Sequence, residues 1–185
     1  MILKILQAGE PVLRKRSREL TRDEILSRET QQLIEWMRET MHDAPGVGLA
    51  APQIGQPLQL AVIEDRPESM QHLSTTERSR RQREPIPFHV VVNPILRRVD
   101  PTTVSFYEGC LSLSGFVAKV PRAKAVEVTA LDENANPIRI NATGWYARIL
   151  QHEIDHLHGS MYIDSMQSDT FTSNANYQRY LQEFD

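Results

Sequence analysis

The densest chemical signal in the chain is His152-Glu153-Ile154-Asp155-His156, an H-E-x-x-H pattern. On a helix, positions i and i+4 lie one above the other on the same face. Two imidazoles so placed can grip one divalent ion, and Glu153, beside the first, can reach a water at that ion. The plainer reading is an exposed helix with incidental histidines, and a capped helix at this position argues against it. His158 sits two residues past His156, about 200° round the helix, and cannot join the same ion. It is expected at the surface.

A catalytic metal site needs a third protein ligand and an open position. In the longer H-E-x-x-H-x-x-G-x-x-H pattern Gly159 matches, but Tyr162 stands where the third histidine should be. A glutamate from a later helix is the other common solution, and only Glu183 remains downstream. The third ligand is therefore expected upstream, at Cys110. A lone cysteine is more often an inert buried thiol. This one, however, lies in the tight segment Glu108-Gly-Cys-Leu-Ser112, and its thiolate would partly neutralise a divalent ion. A fourth protein ligand, for which His42 and His89 are the contenders, would instead make the site structural.

Gly46-Val-Gly-Leu-Ala-Ala-Pro-Gln-Ile-Gly55 formally satisfies G-x-G-x-x-A. That fingerprint binds dinucleotides only between a strand and a helix. Here a helix precedes it and Pro52 follows, so the nucleotide reading fails. Two close glycines let a backbone approach a ligand, and Gln53 can offer an amide donor to a developing oxyanion. A plain structural turn is the competing reading.

These residues need elements to position them. Thr21 and Glu24 have capping-box spacing, and Leu33, Ile34, Met37 and Met41 form a helical stripe, predicting a helix over 21–42 stopped by Pro45 and Gly46. Strands are expected at 58–63, 90–96, 103–107 and 117–120, the last limited by Pro121. Residues 125–131 and 138–141 should form a hairpin about Asp132–Pro137. Thr143 should cap a helix over 144–158, ended by Gly159. A helix, many short strands and a second helix predict an α+β fold. A single catalytic domain, 1–185, is expected, with a polar insertion at 66–84 and an unassigned polar tail at 167–185. The insertion, with Arg78, Arg80, Arg81 and Arg83, reads as a solvated loop, the alternative being a patch for ribosomal RNA or an acidic partner.

Composition is that of an ordinary soluble domain: 185 residues, 40% apolar, 24% charged, net charge −3. That balance gives no case for broad nucleic-acid or membrane binding. No stretch approaches the roughly 20 apolar residues of a membrane span. One cysteine excludes an internal disulfide framework and fits a reducing compartment.

Taken together, Gly46–Gln53, Glu108–Ser112 and Gln151–His156 resemble the G-x-G-L-A-A-x-Q, E-G-C-x-S and Q-H-E-x-D-H motifs of the peptide deformylase family, in the same order. The resemblance covers residues 1–166. The stretches Gly115–Arg122 and Gly144–Arg148 and the polar insertion are similar to its organellar-like branch. No transit peptide is visible, so a bacterial cytoplasmic protein is expected ahead of a processed organellar one.

The resemblance implies that antiparallel sheets surround a central metal-binding helix. It implies an enzyme that removes the formyl group from the initiator methionine of nascent peptides, with Fe²⁺ on Cys110, His152 and His156. Zinc, nickel or cobalt can substitute. Glu153 becomes the general acid/base, and Gln53 and the Leu111 N–H face the formyl oxygen. Gly46, Val47, Gly48 and Gly109 meet the substrate, while Trp145 and Arg148 line the methionine pocket. An ion that lowers the pKa of water from 15.7 to roughly 7 supplies hydroxide for attack on the formyl carbon. Formylated nascent peptides are the expected partners, with a transient ribosome contact left open. The rival readings are a metallopeptidase or other amidase on the same ligands, and a structural metal-binding module.

Overall fold

The computed structural model of the chain describes residues 1–181, apart from the side chain of Pro101. The expected helix over 21–42 is two helices, α1 (Arg22–Leu26) and α2 (Arg28–Asp43). Thr21 and Glu24 form the capping box of α1. Ser27 then leaves helical geometry (φ −64°, ψ 150°), and its hydroxyl accepts from the Thr30 N–H at 3.2 Å to start α2. A serine that competes with the backbone for hydrogen bonds breaks the run in this way. Ile34, Met37 and Met41 bury the inner stripe of α2.

Five strands follow: β1 (Gly48–Ala50), β2 (Leu60–Asp65), β3 (Ile86–Cys110), β4 (Leu113–Leu131) and β5 (Pro137–Thr143). They pair antiparallel in that order, so β1 is an edge strand. The three short strands expected over 90–120 are pieces of β3 and β4, two long strands bent where the ladder register shifts. Pro121 does not limit β4 but sits opposite Ser105 within it. Because β5 joins β4 only from Ala125 onward, one flank of Pro121 faces no ladder, and the missing N–H is tolerated there. The β4–β5 hairpin closes as expected, with Asp132 Oδ1 accepting from the Asn134 and Asn136 N–H groups at 2.9 and 2.7 Å.

The segment over 66–84 is not a plain solvated loop. It holds a 3-10 turn (Pro67–Met70) and α3 (Thr75–Arg81), capped by Ser74 and Glu77. Met70, Arg81 and Arg83 are buried. Arg83 grips the fully buried Asp65 through two bonds of 2.8 and 3.0 Å, which is how a charge run comes to be folded inward.

Helix α4 (Gly144–Leu157) packs against β1, β4 and β5. Ala147, Leu150, Ile154 and Leu157 recur at helical spacing and are all at most 3% exposed. Thr143 occupies the N-cap position, but its side chain makes no cap bond, contrary to expectation. Gly159 does end the helix, with φ +78° and the Arg14 carbonyl within 3 Å of where a Cβ would stand. The tail also acquires structure: β6 (Thr172–Ser173) pairs with β4 at Phe116 and Val117. Residues 182–185 of the expected tail lie outside the described residues. No described helix is long and apolar enough to cross a membrane.

Candidate active site

Three elements converge to make the site. Strands β3 and β4 close through a two-residue turn, Leu111-Ser112, with Cys110 opposite Leu113. This puts the thiol at the hairpin tip. Helix α4 turns His152 and His156 toward it, with ring centroids 5.0 Å apart. The ligand atoms of Cys110, His152 and His156 all lie within 4.8 Å of one another, and Cys110 Sγ is 3.2 Å from His156 Nε2.

The imidazoles are prepared differently. His152 Nδ1 faces Glu108 Oε2 at 3.0 Å, which leaves Nε2 to point at the thiol; a ligating histidine is usually anchored in this manner. Against the pull of burial, Cys110 and Glu108 hold the His152 pKa well above the usual imidazole range. A cation takes the place of that proton when it binds. Burial and the neighbouring His152 hold His156 far below that range, hence neutral.

Glu153 turns into the cavity from the next position along. Its side chain is buried, Oε2 has no hydrogen-bond partner among the described residues, and burial pushes its pKa up to about 7. A Cβ on Gly48 would stand 2.3 Å from Glu153 Oε1, so only glycine admits the carboxylate there. Gln53 is fixed at both ends. Its Oε1 accepts from the Ala50 N–H at 2.8 Å, and its Nε2 donates to Ser112 Oγ at 3.2 Å and lies 3.6 Å from Cys110 Sγ.

A cation fits this donor set. One thiol and two imidazoles converge, His152 with its second nitrogen already anchored on Glu108, and a buried carboxylate oxygen beside them lacks a proton donor among the described residues. Neither contender for a fourth ligand belongs to the group. His42 pairs with Glu64, and His89 bonds the Tyr146 hydroxyl at 2.9 Å. His158 is exposed, as expected.

The groups open onto a cavity of about 400 Å³. Gly46, Val47 and Gly48 form one wall, Leu111 and Gly109 another, and Trp145 and Arg148 line it as well. Trp145 is held from behind by Arg81 and Arg83, each with its guanidinium carbon 5.1 Å from the ring centroid. Arg148 is 4% exposed and donates to Glu108 at 2.6 Å and to the Val120 and Val104 carbonyls at 2.8 and 2.5 Å.

Sequence reasoning missed Glu108 and Arg122. Arg122 forms a fork with both Glu108 oxygens, at 2.9 and 3.0 Å, and also bonds Asp155. Burial resists ionisation of Glu108, yet His152 and the Arg122 guanidinium hold its carboxyl well below the usual carboxylate range. A signal for Glu108 existed: two residues before Cys110 on a strand, it shares the cysteine's face. Arg122 had none short of the β3–β4 register, and Ser112, inside the second motif, was not singled out.

The family model for polypeptide deformylase matches residues 2–171. The chain belongs to that family. It is 46% identical over 172 residues to peptide deformylase 1A, chloroplastic, of Solanum lycopersicum, a match covering 93% of this chain and 62% of the relative. It is 43% identical over 170 residues to the mitochondrial peptide deformylase of Homo sapiens, covering 91% and 70% respectively. The chain thus spans under two thirds of the tomato relative's length. Among solved structures, the Met-Ala-Ser-bound class I type b peptide deformylase of Acinetobacter baumannii superposes with a TM-score of 0.79 at 26% identity, over 90% of this chain and 99% of that one. The Thermotoga maritima peptide deformylase gives 0.74 at 31% identity, over 90% and 99%. These likenesses agree with the α+β fold described above.

Proposed function

We propose that the protein is a hydrolase that removes the N-formyl group from the initiator methionine of nascent polypeptides and releases formate. The observation that carries this is the buried Glu153 carboxylate, its Oε2 without a hydrogen-bond partner among the described residues, beside the Cys110–His152–His156 group of a deformylase-family chain. The Acinetobacter neighbour bound to Met-Ala-Ser supports a methionine-headed peptide as ligand.

Cys110, His152 and His156 hold the metal, Fe²⁺ in the first instance with Zn²⁺, Ni²⁺ or Co²⁺ as substitutes. Bound there, it supplies Lewis acidity that brings the pKa of water to roughly 7. Glu153 accepts a proton from the attacking water as its oxygen bonds to the formyl carbon. Gln53 Nε2 and the Leu111 N–H donate to the developing oxyanion, each such donor contributing about 3 kcal/mol. As the carbon–nitrogen bond breaks, Glu153 returns its proton to the leaving amine, giving formate and a free N-terminus. A carboxyl poised near neutrality suits both transfers.

The outer edge of β1 has no strand partner among the described residues, so Gly46–Gly48 can meet the extended substrate main chain as an added strand would. Trp145 and Arg148 bound the methionine pocket. The chain works as one catalytic unit in the bacterial cytoplasm, on formylated chains leaving the ribosome. Formate release from formyl-Met-Ala, with none from acetyl-Met-Ala and no free methionine from Met-Ala, is the expected result. Cleavage of Met-Ala would make the protein a peptidase instead.

A further inference from the structure

The cleft continues past its catalytic groups. Phe116 stands at its lip with Phe171 stacked on it, each 41% exposed, with ring centroids 5.1 Å apart and planes 9° from parallel. Phe116 lines the cavity, next to Ser114, Gly115 and Asn174. Its position is fixed: its carbonyl accepts from the Tyr162 hydroxyl at 3.2 Å, and it pairs with Ser173 of β6. The tail is clamped along β4 by Gln167 N–H donating to the Lys119 carbonyl and Lys119 N–H to Thr170 Oγ1, both at 2.8 Å. Phe171 therefore arrives behind Phe116 on an anchored segment. The family-model match stops at residue 171, so β6 and Asn174 lie beyond it.

A single exposed aromatic is ordinary, but a stacked, anchored pair continuous with a catalytic cavity is a recognition surface. This wall of the cavity, Leu113 to Phe116 and Asn174, carries no charged side chain. We propose that the Phe116–Phe171 pair receives an apolar side chain from the first or second residue after the formyl-methionine, so that the tail sets a sequence preference. Phe116 makes the contact, and Phe171 is a positioning residue behind it. This rests on the deformylase reading above.

The test compares kcat/KM for formyl-Met-Ala-Ser, formyl-Met-Phe-Ser and formyl-Met-Ala-Phe. At least one phenylalanine peptide should be favoured several-fold to about tenfold, the scale of one aromatic contact, chiefly through KM. Phe116→Ser should erase that ratio, with thermal unfolding reporting that the variant is folded. Phe171→Ala should reduce it partway, and supplies the test if Phe116→Ser does not fold. Equal rates for all three peptides, or a ratio that survives both variants, would overturn the platform while leaving the deformylase reading intact. No formate from any of the three would overturn both.

Discussion

Two regions of α4, around Glu153 and around Arg148, carry opposite kinds of side chain. In the C-terminal half, Glu153 Oε2 and His156 Nδ1 are buried without a hydrogen-bond partner among the described residues. Toward the N-terminus, Arg148 makes three short bonds, and the Glu108 it holds is also bonded by Arg122 and His152. A buried polar group left unpaired costs about 1–3 kcal/mol. The fold tolerates that cost where a ligand and a reacting proton are to arrive. The bonded Arg148–Glu108–Arg122 network fixes the geometry that makes the unpaired groups of the C-terminal half useful.

Removing the reactive group should have the largest effect. Glu153→Ala should lower kcat by about 10²–10⁴-fold while the metal stays bound, as steady-state kinetics with metal analysis would record. Unchanged kcat would mean the unsatisfied half is not where chemistry occurs. Removing the anchor comes next. Glu108→Ala removes the carboxylate that two buried guanidinium groups share and frees His152, so stability should drop by about 3–5 kcal/mol and metal affinity by about 10–100-fold. Urea unfolding and metal competition would measure the two, and a fall in affinity without a fall in stability would split the network in two. Gly48→Ala sharpens the contrast, because the three atoms nearest its methyl group all belong to the Glu153 side chain. A displacement of about 1 Å at a catalytic group can cost about 10²-fold in rate, and metal content should not change. The smallest effect belongs to His158→Ala. Exposed and two residues past His156, it should shift stability by less than about 0.5 kcal/mol and leave metal binding alone. Calorimetry and metal analysis suffice to check it.

The division between legible and hidden features follows the range of the interactions. His152, Glu153 and His156 belong together because helix geometry alone relates i, i+1 and i+4. Cys110 and Gln53 came from short motifs at turns. The Thr21 capping box and the Asp132–Pro137 turn were equally local. The arginines were not legible, because pairing Arg83 with Asp65, or Arg122 with Glu108, depends on strand register and on a segment that looks solvated by composition. The same holds for β6, whose polar sequence gives no sign that it adds to β4. The break at Ser27 left no mark in the pattern because no glycine or proline stands between the Thr21–Glu24 capping box and the stripe from Leu33 to Met41. Thr143 misled in the opposite sense: a good capping residue type stood at the N-cap and made no cap.

The central claim is that Cys110, His152 and His156 hold a divalent metal with which Glu153 deformylates peptides. Its most direct test is to purify the wild type and Glu153→Ala without oxygen, then measure metal content and formate release from formyl-Met-Ala side by side. The account predicts one divalent metal per chain in both proteins, with rapid formate release by the wild type alone. Formate absent with every divalent metal, or released at the wild-type rate by metal-loaded Glu153→Ala, would contradict it.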